Sequence, residues 1–332
     1  MPKFNDIKNL AVKILNHNPQ QSLYVQGPPG GGKTEVVYAT AAGLDIPRER
    51  TIIFRPSLHD PVDLHGTPHI NSDYCTHWAP PPWMKDLQKG RWMLGIDELP
   101  QAVTMMQNAL AGLMLDRFIG ELKLSPDVVI MATGNRTTDK AGANRMVGQL
   151  ANRVMCLDME SDLDGWTSWA LGANVPLWLI SFLRFRPNHL NDYDPNRFSN
   201  PTERTHEMVG RLPDDLTASE FMTAAKGLVG AGCAAEMAGF KLIMDKMPNV
   251  DALLLNPKDA PVPTDPATLY ALSTVLGQRS TKDNFDRVTT YTARMPKEFG
   301  IVTVRDAVRQ KPEVQKTRAF VEWANANAEV LL

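Results

Sequence analysis

One eight-residue segment constrains this chain more than any other: Gly27-Pro28-Pro29-Gly30-Gly31-Gly32-Lys33-Thr34. It fits the pattern G-x-x-x-x-G-K-[ST], directly after an apolar run at 22–26 that reads as a strand and directly before a helical pattern at 34–43. Glycines in such a loop let backbone N–H groups turn toward a polyphosphate, and the helix N-terminus that follows adds positive potential. Lys33 is positioned to reach the β- and γ-phosphates, and Thr34 to offer its hydroxyl to Mg²⁺. All eight residues are therefore assigned to nucleotide binding, with a nucleotide polyphosphate and Mg²⁺ as the expected ligands.

Four further apolar runs, at 51–54, 92–97, 128–133 and 153–157, read as buried strands, because each is short and bounded by Gly, Pro or polar residues. Helix-length segments, notably 102–115, lie between them. Strands alternating with helices imply a parallel sheet covered on both faces, an α/β fold. Past about residue 160 the strand-like runs stop, and helical spacing takes over at 165–171, 176–185, 201–212, 218–247 and 266–276, with prolines at the joints. The expected division is an α/β domain over 1–159, an α-helical domain over 160–250 and a helical extension over 251–332.

Composition removes several classes of function. The 332 residues carry 35 basic and 37 acidic side chains and are 43% hydrophobic, so the chain is globular and nearly neutral. A surface that is basic throughout, as a dedicated nucleic-acid or anionic-membrane binder needs, is excluded. The first residues lack the apolar core of a signal peptide, and no apolar run nears the roughly 20 residues of a membrane span. A cytoplasmic protein is expected. Cys75, Cys156 and Cys233 are too scattered for a disulfide framework or a zinc site of their own.

Hydrolysis needs acids near the phosphates, and the run at 92–97 ends in Asp97-Glu98. Asp97 would hold Mg²⁺, and Glu98 would orient or deprotonate the attacking water. The next strand ends in Ala132-Thr133-Gly134-Asn135, where an amide can bond both a water and a γ-phosphate oxygen, or simply cap a turn. Arg153, at the start of the last strand, and Arg145 before it are both candidates for a trans arginine finger, and equally for surface residues.

With these residues in order, the chain resembles the AAA+ ATPases, and within them the MoxR-like, dynein-related branch of bacterial and phage type. The P-loop, Asp97-Glu98, Asn135 and Arg153 resemble Walker A, Walker B, sensor 1 and the arginine-finger region. Asn152-Arg153-Val154 departs from the usual Asp-Arg-Phe or Ser-Arg-Phe, which leaves Arg153 and Arg145 both open as the finger. Asp60-Pro61-Val62-Asp63-Leu64-His65-Gly66 resembles the branch's DPxDLxG signature, and Asn200-Pro201-Thr202-Glu203-Arg204-Thr205 its lid segment, with Arg204 as sensor 2. The resemblance spans about 20–215. It implies a five-stranded parallel sheet in order 5-1-4-3-2, an all-α lid with a helical C-terminal region, and a ring, usually a hexamer. It also implies a pore-facing insertion, here about 66–83, a turn at 118–121, and a separate partner with a von Willebrand factor A domain.

His59, His65, His69 and His77 crowd into the region of that insertion with Asp60, Asp63 and Cys75. Their spacing matches no zinc template, and Gly66 and Pro68 break any helix that would align His65 with His69. An insertion bearing Tyr74, Trp78 and Trp83 reads better as a contact for a partner, or as a loop packed on its own domain. Two functions remain: an ATP-driven machine that remodels a protein client, and a motor on nucleic acid in restriction, transposition or phage DNA processing. The insertion has no Lys or Arg, which favours the first.

Overall fold

A computed structural model of the chain describes residues 2–120, 122–139, 146–245 and 247–331; for 245, 330 and 331 only the backbone is described. It divides into two compact units, Met1–Asp162 with Tyr193–Asn196, and Leu163–Asp192 with Arg197–Leu332.

The first unit begins with α1 (Phe4–His17), β1 (Leu23–Gly27), α2 (Lys33–Gly43) and β2 (Thr51–Phe54). Then come α3 (Pro61–His65), β3 (Thr67–Ile70), β4 (Thr76–Ala79), α4 (Pro82–Asp86), β5 (Met93–Ile96) and α5 (Thr104–Asp116). It closes with β6 (Phe118–Ile119), β7 (Leu122–Lys123), β8 (Val129–Asn135), α6 (Gly148–Ala151) and β9 (Met155–Asp158). Five strands form one sheet in the order β2-β5-β8-β1-β9, every neighbouring pair parallel. Counted along the chain within that sheet, the order is 5-1-4-3-2, as the resemblance to AAA+ ATPases implies.

Side chains alternate across this sheet with period two, and both faces are dry. Tyr24, Leu94, Ile96, Ile130 and Ala132 face a core that includes Met106, Leu110, Leu113 and Met114 of α5. Leu23, Val25, Met93, Val129 and Met131 face a second core with Ile7, Ala11 and Leu15 of α1 and Val36, Val37 and Ala41 of α2. A fully buried aliphatic side chain contributes roughly 1.5–3 kcal/mol, so these two layers fix the strand register before any ligand binds.

The second unit is helical: α7 (Leu163–Gly172), α8 (Leu177–Phe185), α9 (Glu203–Gly210), α10 (Ala218–Val229), α11 (Ala231–Asp245), α12 (Val250–Leu255), α13 (Pro266–Arg279), α14 (Phe285–Thr292), α15 (Lys297–Gln310) and α16 (Arg318–Ala326). The single helix expected at 218–247 is two, because Gly230 caps α10 with φ 80° and turns the chain. The helical C-terminal region is present as expected, although the sequence reading set no bounds for α14 to α16; in α14 Phe285, Val288 and Tyr291 form the buried face, and the hydroxyls of Thr289, Thr290 and Thr292 bond back to carbonyls in the preceding turn. Inside this unit Arg184 forms a two-pronged ion pair with Asp306 at 2.6 and 2.8 Å and also donates to Thr274 Oγ1 at 2.8 Å. Both charges are almost wholly buried.

Candidate nucleotide site

The site lies at the carboxyl ends of the central strands. Pairing of Gly27 with Asn135, and of Ile96 with Ala132, brings the end of β1, the end of β8 and the residues after β5 to one edge of the sheet. Gly30 and Gly32 take φ 76° and 80°, left-handed values that let the chain turn at once from β1 into α2, with Gly32 as the N-cap. The first N–H groups of a helix have no intrahelical acceptor, so the first turn of α2 presents donors to the loop. Lys33 folds back over that loop, its ammonium donating to the carbonyls of Gly27 at 3.0 Å and Pro28 at 2.7 Å.

Asp97 is the hub. Only 7% exposed, its carboxylate accepts from Thr34 Oγ1 at 3.0 Å and closely from Thr133 Oγ1, and Arg55 Nε stands 3.5 Å away. Its own N–H donates to the carbonyl of Phe54 at 2.8 Å, which fixes it beyond the end of β5. Glu98 follows in a left-handed conformation (φ 59°) that turns its exposed side chain away from the strand, and Ser57 Oγ makes a long 3.5 Å contact to it. A threonine hydroxyl beside a buried carboxylate at the head of a P-loop is a hard-oxygen donor set, and it fits Mg²⁺.

Asn135 ends β8, with Arg136 directly behind it. Arg153 lies on an exposed turn between α6 and β9, outside the strand expected to contain it, because β9 begins at Met155 and Arg153 N–H closes the turn onto Leu150 O. Arg145, and Glu121 of the turn at 118–121, fall outside the described residues. Arg204 is exposed in the first turn of α9, in the second unit. The surrounding motif is the start of that helix: Thr202 Oγ1 accepts from Thr205 N–H and Thr205 Oγ1 from Thr202 N–H.

Sequence reading missed Arg55, Ser57 and Thr133. A signal for them existed, since each sits at or just past the carboxyl end of a strand in a parallel sheet, where such folds bind ligands. The DPxDLxG segment becomes α3: Asp60 precedes Pro61, Asp63 accepts from Asp60 N–H at 3.0 Å, and Leu64 is fully buried. The insertion becomes the antiparallel hairpin β3–β4, in which Ile70, Tyr74 and Trp78 are exposed. Trp83 departs from the expected contact role; it stacks on Phe54 at 5.3 Å and packs against the core. His69 and His77 are cross-strand partners, yet no cluster of possible metal ligands occurs among the described residues. Among the described residues no helix is long and apolar enough to cross a membrane.

No family profile matches the chain, and no curated protein does. Among solved structures, a variant of Thermotoga maritima RuvB aligns at 13% identity over 91% of this chain and 90% of that one, with a TM-score of 0.41. Brucella abortus NtrX aligns at 13% identity and TM-score 0.36 over 96% of this chain, which spans 64% of NtrX. NtrX in complex with ADP aligns at 14% and 0.37, over 98% of this chain and 67% of that one. Likenesses this distant leave the chain's own strand order and loop position to define its fold, which is that of a five-stranded parallel P-loop domain followed by helices.

Proposed function

We propose that the chain is an AAA+ ATPase of the MoxR-like kind, which hydrolyses ATP in a ring and uses the cycle to remodel or activate a protein client. One observation carries the reading: Thr34 and Thr133 converge on buried Asp97 at the head of a P-loop, with Glu98 one residue further on. In ATP binding, Lys33 exchanges the carbonyls of Gly27 and Pro28 for phosphate oxygens, while loop N–H groups take the remaining charge. Mg²⁺ held by Thr34 and Asp97 would offset charge on the β- and γ-phosphates. Glu98 then orients a water and accepts its proton as the water oxygen bonds to the γ-phosphorus and the bond to the β-phosphate oxygen breaks, giving ADP and phosphate. Asn135 holds water and γ-phosphate in line, Arg153 or Arg145 of a neighbouring subunit completes the site, and Arg204 acts as sensor 2.

The client is read as protein because the hairpin offers exposed Ile70, Tyr74 and Trp78 and no cation, a surface unsuited to phosphate backbones. A separate protein with a von Willebrand factor A domain, a hexamer and a cytoplasmic setting belong to the same proposal and rest on the sequence resemblance.

The test separates binding from chemistry. Lys33→Ala should lose nucleotide binding. Glu98→Gln should keep affinity within about threefold and lose ~10²–10⁴ in kcat, because its carboxylate acts on the water only in the chemical step. Equal loss of binding in both variants by calorimetry would remove Glu98 from that role, and a native chain that binds no ATP would end the proposal.

A further inference from the structure

Arg136 enters neither the fold's cores nor the reaction above, yet it is among the most heavily bonded side chains of the first unit. Its Nε donates to Asp158 Oδ1 at 2.7 Å, and its Nη2 donates to Glu160 Oε1 at 2.7 Å and to the carbonyl of Met159 at 2.8 Å. The side chain is only 17% exposed. Burial works against its charge, and the hydrogen bond and charge of Asp158, with Glu160 and Asp139, more than offset that and hold the guanidinium above its ordinary pKa. Exposed ion pairs contribute little, but a planar guanidinium gripping consecutive residues is a rigid connection.

The connection spans strands that are not neighbours. Arg136 follows β8 and its acceptors end and follow β9, while β1, the root of the P-loop, lies between those strands. Met159 joins the middle strand to the same knot, since its N–H donates to Gln26 O at 2.8 Å and its carbonyl lies where a side chain on Gly27 would collide. Downstream, Glu160 N–H donates to Pro2 O at 3.1 Å and Asp162 pairs with Lys3 at 2.9 Å. The second unit begins at the next residue, Leu163.

We propose that Arg136 is a positioning residue that couples the phosphate-facing end of β8 to the segment 158–162 leading into the second unit, so that nucleotide at the P-loop orders that segment. The coupling rests on the nucleotide site proposed above. Asn135, one residue from Arg136, feels the γ-phosphate end of the site. The bonded guanidinium resists leaving Asp158 and Glu160, because short hydrogen bonds tolerate little stretch, so a shift of Asn135 larger than the Arg136 stem can absorb is passed on to them.

Hydrogen exchange on the full chain, with Mg²⁺ and a non-hydrolysable ATP analogue that carries a γ-phosphate, tests this at the amides of Met159 and Glu160. Fluorescent ADP titration serves as a separate measure of binding. In the native chain nucleotide should slow exchange in peptides covering 157–163 about fivefold or more. Arg136→Ala should bind ADP within about threefold of native and lose that slowing, and Arg136→Lys should recover part of it, since one ammonium cannot reproduce the fork. Should Arg136→Ala fail to fold, Glu160→Gln removes one arm alone and should weaken the response. Undiminished slowing in Arg136→Ala, or in Glu160→Gln if that variant stands in, overturns the coupling, as does a native chain that binds the non-hydrolysable ATP analogue with no slowing. A native chain that does not bind nucleotide overturns the proposed function, and this inference with it.

Discussion

His206, on α9 in the second unit, is fully buried, with Nε2 bonded to the carbonyl of His189 at 2.5 Å and its ring edge-on to Trp166. Its Nδ1 has no partner, so a second proton there would be a buried charge without an acceptor. Burial pushes its pKa down to about 4. The unfolded chain, whose histidine titrates near the ordinary value of about 6.5, therefore binds more protons than the folded one between those two values. Stability that is complete above about pH 6.5 is lost as pH falls toward 4, by a few kcal/mol at full extent. Urea midpoints measured from pH 7 to 4.5 should fall in the native chain. His206→Gln, less stable at pH 7, should show a shallower fall; an equally steep fall would assign the acid sensitivity to other groups.

At the scale of elements, the base of the β3–β4 hairpin depends on one residue. Gly66 takes φ 92°, and a Cβ there would lie 2.1 Å from the carbonyl oxygen of Ala79, the last residue of the returning strand. Gly66→Ala should thus open the hairpin base and cost about 1–3 kcal/mol, read as a lower thermal midpoint with fast exchange confined to 67–79. An unchanged midpoint would mean that the hairpin can shift without cost. The sequence made this glycine visible within the DPxDLxG resemblance but not its reason, because the clash is with a residue thirteen positions on. The same division holds across the site. Gly27 to Thr34, Asp97-Glu98 and Asn135 were legible, since local spacing and strand ends announce them. Arg55, Ser57 and Thr133 were not, because their partners come from another strand, and only sheet register brings them together. Core strands showed as unbroken apolar runs, whereas α14, only eight residues long, carries its Phe285, Val288 and Tyr291 period over too short a span to stand out.

For the whole molecule, the proposed ring has a consequence that mixing can test. If Arg153 completes a neighbour's site, Arg153→Ala and Lys33→Ala chains should each be nearly inactive alone and should regain activity when mixed, because hybrid interfaces pair an intact loop with an intact finger. Fingers of this kind contribute ~10³–10⁵ in rate, so even a minority of such interfaces would be measurable. No rescue, with assembly verified by light scattering, would pass the role to Arg145. The strand order also governs how the chain comes to be folded. β1, which ends in the phosphate loop, hydrogen-bonds only to β8 and β9, so Leu23 waits for Met131 and Met155. Parallel pairings so distant in sequence close slowly, since the loop entropy is spent before the contacts form. On the ribosome, the nucleotide-binding element would thus be made early and assembled late: a chain halted before Met131 would leave β1 with no strand on either side, and the P-loop would gain its geometry only once the first unit is nearly complete.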